Sequence, residues 1–171
     1  MSEEQIEQIL SAFREWAKEA GVVIKGHQIR YEILKAPHSP SALPPRCQGV
    51  YAFSFEGVWL KVGKAGPKSN ARWVSQHYNP VSAMSNLARS LLRYAYRAES
   101  EEPRLPTKFK ARIRAIDVSE IGTWIKRHTD RCNIILDAKL GRPPLDRLES
   151  IAHGVLDPLF EGGWKYGGPV L

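Results

Sequence analysis

The chain has 171 residues, of which 43% are hydrophobic and 25% charged, and a formal net charge of +7. These values are ordinary for a globular protein, and the length predicts a single domain over residues 1–171. No apolar run reaches 18 residues and no signal-peptide pattern is present, so we expect no membrane partner and a cytoplasmic location. The spacing of Cys47 and Cys132 supports neither a zinc site nor a disulfide framework.

The positive charge is concentrated in one part of the chain. From Lys61 to Arg114 there are twelve basic residues against three acidic ones, whereas the first nineteen residues carry five glutamates against two basic residues. Such asymmetry predicts a cationic face that binds a polyanion, with nucleic acid as the leading candidate.

Residues 1–45 are predicted to form an N-terminal helix and an extension. A stripe of apolar residues from Ile6 to Ala20 predicts a helix over 2–20 that ends at Gly21. Packing of this stripe into the core is the simplest interpretation, and a helix that binds a partner or a second copy is the alternative. A strand is predicted within 22–34, followed by a proline-rich loop.

Two short blocks, Gly49-Val50-Tyr51 and Lys61-Val62-Gly63, have the composition of β-strands. Apolar and aromatic residues flank Glu56-Gly57 between them, a pattern that predicts an antiparallel hairpin with a tight turn. The hairpin would bring Tyr51 close to Lys61. The ammonium group would then lower the pKa of the phenol, because a nearby positive charge favours the phenolate.

The segment 81–145 carries many of the basic residues. Helices are expected over 70–78, 81–98 and 119–130, and the alternation from Lys108 to Ile116 predicts a strand. Three arginines spaced four apart and four basic residues of that strand would contact DNA, with an ordinary solvated surface as the alternative. These residues are Arg89, Arg93, Arg97, Lys108, Lys110, Arg112 and Arg114.

A turn at 141–144 precedes a last helix, predicted over 145–156, that presents Glu149. Taken together, the elements predict an α/β fold, with a small antiparallel-type central sheet of about three strands flanked by helices. The tryptophans at 59, 73 and 124 are interpreted as core residues and not as platforms for stacked bases.

The order of these motifs resembles that of the GIY-YIG nuclease superfamily. The two hairpin blocks match its two strand motifs, with Lys61 where most members have tyrosine. Arg72 matches its helix arginine, Glu149 its metal-binding glutamate, and the segment 156–160 its proline-aromatic ending. The resemblance implies a catalytic core over 46–162 with an insertion at about 81–145.

The resemblance also implies roles that suit phosphodiester hydrolysis. Tyr51 would act as the general base or position the attacking water. Lys61 would keep Tyr51 ionised and touch the phosphate, and Arg72 would hold two phosphate oxygens with its planar guanidinium. Glu149 would bind one Mg²⁺ (or Mn²⁺) per active site. Lys64 and His77 are secondary catalytic candidates.

These expectations favour a divalent-metal-dependent DNA endonuclease, restriction- or repair-like, and a homodimer would suit a double-strand cut. A catalytically inactive GIY-YIG-like basic module that binds nucleic acid is the alternative. A third hypothesis is a protein-interaction domain for an acidic partner. An endonuclease requires Tyr51, Arg72 and Glu149 to converge, and an interaction domain does not.

Overall fold

The protein is described by a computed structural model that covers residues 3–82, 86–96 and 103–160. Over these residues it has six α-helices and four strands. The helices are α1 (Glu3–Glu19), α2 (Asn70–Val74), α3 (Leu87–Tyr96), α4 (Phe109–Arg114), α5 (Ile121–His128) and α6 (Arg142–Leu156). The strands are β1 (Ile29–Leu34), β2 (Cys47–Phe55), β3 (Val58–Ala65) and β4 (Asp130–Asp137).

All four strands form one antiparallel sheet in the order β1-β4-β2-β3. The α/β class and the antiparallel hairpin β2–β3 are confirmed, but the expected number of about three strands was wrong. The additional strand, β4, lies inside the sheet and is buried on both faces. A strand buried on both faces has no alternation of polar and apolar residues, which is why the pattern did not reveal it.

Helices cover both faces of the sheet. One apolar cluster joins α1 and α6 to the face that carries Val50, Val62 and Ile134. The second cluster joins α2, α3, α4 and α5 to the face that carries Tyr51 and Phe53. Trp59 and Trp73 are buried and Trp124 packs against the second cluster, as predicted.

The N-terminal helix is confirmed. Its apolar stripe is buried and belongs to the cluster shared with α6, so the stripe serves core packing. The buried residues are Ile6, Ile9, Leu10, Phe13 and Ala17.

The strand predicted over 108–116 was wrong, because this segment contains α4. Phe109 and Ile113 lie four residues apart, so one helical turn places them on the same face. Both are fully buried in the cluster that includes α3. The alternating pattern also fits a short helix, and the apolar contacts made in the fold decide between the two.

The other helix predictions are correct in position and differ at their ends. The helix expected over 81–98 is α3, and residues 83–85 and 97–98 lie outside the described part of the chain. The helix α6 begins at Arg142, since Pro143 and Pro144 fit its first turn. Within the described residues, no helix combines the length and apolar character needed to span a membrane.

Candidate active site

The Tyr51 hydroxyl is the centre of a hydrogen-bonded group on the inner face of β2. The side chain is fully buried, and its oxygen lies 3.1 Å from Arg72 Nε and 2.6 Å from His77 Nε2. Arg72 belongs to α2, and His77 lies in the 3-10 turn that follows it. The structure therefore brings together three of the predicted site residues.

The hydrogen bonds around His77 fix which atoms donate. The backbone N–H of Leu87 donates to His77 Nδ1 over 3.3 Å, so this nitrogen carries no proton. Burial holds the pKa of His77 well below its usual value, reinforced by the charges of Lys61, Arg131 and Arg72. The neutral ring therefore carries its proton on Nε2 and donates it to Tyr51. Because the Tyr51 oxygen accepts two hydrogen bonds, its own proton is available to a third group.

The expectation that the pKa of Tyr51 is lowered was wrong in its net direction. Burial raises the pKa of Tyr51 above its usual value, against the opposing charges of Arg72 and Arg131. The charge of Glu149 raises it further. The cost of burying a phenolate therefore outweighs the attraction of the two guanidinium groups.

Lys61 lies two residues from the position directly opposite Tyr51. The ladder pairs Tyr51 with Gly63 and Lys61 with Phe53, so Lys61 shares the face of Tyr51 but is not its direct partner. Its side chain is buried, and its ammonium group donates to the carbonyl of Phe160 over 3.0 Å. Its charge is also the second cause, after burial, of the lowered pKa of His77.

The glycine of the first block makes room for the helix that carries Arg72. A Cβ on Gly49 would lie 2.7 Å from the carbonyl oxygen of Ile134 and 2.9 Å from two ring atoms of Trp73. Trp73 is buried and adjacent to Arg72 in α2. A glycine at 49 thus allows α2 to approach the sheet and Arg72 to reach Tyr51.

Glu149 belongs to a second charged group, on the opposite side of β3. Lys64 follows Gly63 and points to the face covered by α6. Its ammonium nitrogen lies 2.5 Å from Glu149 Oε2 and 2.7 Å from Asp146 Oδ1. Partial burial disfavours the charged Lys64, yet hydrogen bonds to both carboxylates raise its pKa overall.

Glu149 does not contact Tyr51 through any described hydrogen bond, but the two are electrostatically linked. The charge of Glu149 is among those that raise the pKa of Tyr51. The Tyr51–Arg72–His77 group and the Lys64–Asp146–Glu149 group lie on either side of the edge strand β3. Of the three residues expected to converge, Tyr51 and Arg72 therefore meet, whereas Glu149 makes no described hydrogen bond with either.

The donor chemistry at α6 fits a hard divalent cation. Asp146 and Glu149 are three residues apart and converge on one positive charge, and Mg²⁺ is commonly held by one or two carboxylates together with water. Within the described residues, no group of three or more histidine, cysteine or acidic side chains could hold a metal. Metal binding by Glu149 stays a prediction.

The predicted DNA-contacting residues are distributed around α3 and α4. Arg93 is exposed and Arg89 half-buried on α3, and Arg97 lies outside the described residues. The basic residues of the 108–114 segment do not share a face, because this segment is largely helical. The residues concerned are Lys108, Lys110, Arg112 and Arg114.

Some of these basic side chains already have partners within the protein. Arg114 Nε donates to the carbonyl of Ala95 at the end of α3. Lys110 lies over the Tyr94 ring, and Arg112 pairs with Glu56 at 3.5 Å. Lys108, Lys110 and Arg114 also line a groove of about 560 Å³ beside Tyr94.

Two residues that matter to these groups were missed in the sequence. Asp146 had a usable signal, its spacing of three from Glu149 on one helix. Arg131 lies in the unpredicted β4 and has no motif around it, yet it is fully buried beside Tyr51. A single arginine in an apolar strand gives no information about its neighbours until the strand order is known.

Comparisons with protein-family models, with curated proteins and with solved structures give no match to this chain. The resemblance to the GIY-YIG superfamily therefore rests on the motifs quoted from the sequence.

Proposed function

We propose that this chain is a divalent-metal-dependent endonuclease that hydrolyses DNA phosphodiester bonds at a GIY-YIG-type site, in a restriction- or repair-like role. The observation that carries the proposal is the Tyr51 hydroxyl, which accepts hydrogen bonds from both Arg72 and His77. A tyrosine that only fills space in a core needs at most one hydrogen-bond partner for its hydroxyl. Two donors on a buried phenol suit an oxygen that must bear negative charge during a reaction.

Tyr51 acts on the attacking water. With both acceptor positions filled, the hydroxyl proton is directed to a third group, so the neutral phenol orients a water molecule. Once it has lost that proton to solvent, the phenolate takes a proton from the attacking water as the water oxygen bonds to phosphorus. The ester P–O bond breaks, and the leaving oxygen takes a proton from solvent. Burial keeps the phenol neutral in the resting protein, which makes its ionisation a separate requirement.

Arg72 binds the scissile phosphate. Its Nε is committed to Tyr51, while the residue as a whole is exposed to solvent. The two terminal nitrogens of the guanidinium can then hold two non-bridging oxygens in a planar fork. The same side chain would thus align the phosphate with the oxygen of Tyr51.

Glu149, joined by Asp146, would hold Mg²⁺ or Mn²⁺. A bound divalent cation supplies charge stabilisation for the phosphate and the leaving oxygen. Lys64 pairs with both carboxylates in the resting protein, and on metal binding it would move away from them or share them with the cation. One metal per site, a homodimer for double-strand cleavage and a cytoplasmic location remain predictions.

The test is cleavage of supercoiled plasmid, with magnesium and with chelator. We expect wild type with magnesium to nick or linearise DNA, and Tyr51→Phe and Glu149→Ala to lose cleavage while they still bind DNA. Tyr31→Phe and Glu15→Ala are matched controls, because both residues lie in elements away from the Tyr51 face. Wild-type cleavage rates in Tyr51→Phe would rule out its proposed role.

One observation favours the alternative of a catalytically inactive nucleic-acid-binding module. The carboxylates proposed for the metal are already paired with Lys64. If none of the proteins cuts plasmid and all bind DNA alike with a steep salt dependence, the inactive module is the better description.

A further inference from the structure

Arg131 is a buried cation that faces the aromatic core of the site. It is fully inaccessible to solvent. Its guanidinium carbon lies 5.3 Å from the ring centre of Tyr51, 5.3 Å from that of Phe53 and 5.1 Å from that of Trp73. A guanidinium so placed is attracted by the electron-rich faces of all three rings.

The hydrogen-bond partners of Arg131 are neutral groups. Its Nε donates to the side-chain oxygen of Asn133 over 2.8 Å, and Nη1 donates to the hydroxyl of Tyr78 over 3.1 Å. Its second terminal nitrogen, Nη2, is buried and has no hydrogen-bond partner. The carboxylate of Glu32 is linked to Arg131 through the side-chain amide of Asn133, which donates a hydrogen bond to Glu32 and accepts one from Arg131.

The chain of hydrogen bonds beyond Tyr78 cannot supply a negative charge. The carbonyl of Thr129 accepts from His38 Nδ1 over 2.7 Å, so His38 Nε2 is the acceptor of the neutral ring. Burial lowers the pKa of His38 and keeps this ring neutral. Tyr78 therefore donates its proton to His38 while it accepts from Arg131, and every member of the chain is uncharged.

A buried cation is costly unless an anion compensates it. Among the ion pairs of the described residues, none includes Arg131. Tyr51 is the contacting group that can become an anion without breaking the chain through Tyr78. We propose that Arg131 is a positioning residue. Its buried guanidinium provides the permanent positive charge that stabilises Tyr51 when this tyrosine is ionised to the phenolate.

Charged groups act on Tyr51 from three packed elements. Arg72 from α2 and Arg131 from β4 favour the phenolate, and Glu149 from α6 opposes it. His77, from the turn after α2, donates a hydrogen bond to Tyr51 as a neutral ring, and Lys61 from β3 helps to keep that ring neutral. Arg131 differs from the exposed Arg72 because it is buried, so its charge is not screened by solvent and is not available to bind phosphate.

The direct test measures the ionisation of Tyr51 without DNA. Protein labelled with ¹³C at the tyrosine ζ carbon is titrated by NMR, and the Tyr51 signal is assigned by its loss in Tyr51→Phe. We expect Arg131→Met, which keeps the volume and removes the charge, to raise the pKa of Tyr51 by about one to three pH units. Arg131→Lys should restore part of this shift. Arg30→Met, at an exposed position of β1, is the control and should leave Tyr51 unchanged.

A folded Arg131→Met protein with an unchanged Tyr51 titration would overturn the proposal and leave Arg131 as a packing residue. A second measurement does not depend on that variant folding. In the wild-type protein, the Arg131 Nε–H resonance should titrate with the same midpoint as the Tyr51 ζ carbon, and this titration should vanish in Tyr51→Phe. An Arg131 Nε–H chemical shift that does not change when Tyr51 ionises would equally overturn the proposal.

The use of the phenolate in catalysis rests on the proposed function, but its pairing with Arg131 does not. If Arg131→Met raises the pKa of Tyr51 but no variant cuts plasmid, the endonuclease proposal fails and the proposed role of Arg131 is retained. If the wild-type protein cuts plasmid but Arg131→Met leaves the pKa of Tyr51 unchanged, the endonuclease proposal is retained and the role of Arg131 is overturned.

Discussion

The ring of Tyr51 lies directly over Gly63, its ladder partner on β3. A Cβ on Gly63 would lie 2.6 Å from the Tyr51 hydroxyl oxygen and 2.8 Å from two ring carbons. Contacts this short are not tolerated between a Cβ and a ring in a packed core. Because position 63 has no side chain, the Tyr51 ring can extend over the edge strand β3. Its hydroxyl there accepts the hydrogen bond from Arg72.

We expect Gly63→Ala to displace the Tyr51 ring and to abolish plasmid cleavage. The added methyl group should also destabilise the protein by about 1–3 kcal/mol, the usual range for an overpacked core. Urea unfolding measures the stability, and the plasmid test measures the activity. The control is Gly154→Ala in α6, where a Cβ would meet nothing within 4 Å. This control should be neutral or stabilise the helix by up to about 1 kcal/mol. Equal stability in the two variants would contradict the close contact at Gly63.

The lowered pKa of His77 predicts a loss of stability in acid. Its pKa lies well below the usual 6.5 in the folded protein, so the unfolded chain binds an additional proton once the pH falls below that value. The free energy of unfolding should then fall by up to about 1.4 kcal/mol per pH unit for this group. His38 acts in the same direction.

Denaturant unfolding between about pH 8 and pH 5 measures this slope. His77→Gln should make it shallower, whatever its effect on stability at neutral pH. His27→Gln removes an exposed histidine from the turn before β1 and should leave the slope unchanged. If His77→Gln has the wild-type slope, His77 is not the neutral donor to Tyr51 that the hydrogen bonds require.

Lys64 is expected to compete with a divalent cation for Asp146 and Glu149. Lys64→Met removes the ammonium group that both carboxylates share and leaves only Arg142, which pairs with Asp146 at 3.2 Å, so Mn²⁺ affinity should rise by about tenfold or more. Paramagnetic relaxation of water protons measures the affinity, and Lys68→Met, at an exposed loop position, is the control. Weaker Mn²⁺ binding in Lys64→Met would instead mean that Lys64 holds the carboxylates in place for the metal.

The basic surface of the 81–145 insertion is expected to bind DNA through phosphates. Arg93 and Lys108 are both exposed, so Arg93→Gln combined with Lys108→Gln removes charge with little effect on the core. The slope of log affinity against log salt should fall by about 1.8 if each residue contacts one phosphate. Arg14→Gln, on the exposed side of α1, should leave the slope unchanged. An unchanged slope in the double variant would place the DNA contacts elsewhere.

Local patterns in the sequence were sufficient for the hairpin and for most helices. Strong apolar periodicity predicted α1 and α6, and the two blocks with Glu56-Gly57 predicted β2 and β3. These elements depend on interactions between residues close in the chain, which a pattern records. The first block contains Tyr51, and the resemblance to the GIY-YIG superfamily identified Arg72, which the structure joins to Tyr51 by a hydrogen bond.

Only the tertiary structure decided what surrounds these residues. The alternation before Ile116 suited a strand, but contacts with α3 made the segment 109–114 helical. The central strand β4 and its Arg131 carry no local signal, because burial on both faces removes alternation. The pKa of Tyr51 depends on burial and on charges from distant parts of the chain, and these distances are set by strand order and helix packing. The sequence alone therefore specified the candidate chemical groups, and the fold determined which of them lie close enough to interact electrostatically.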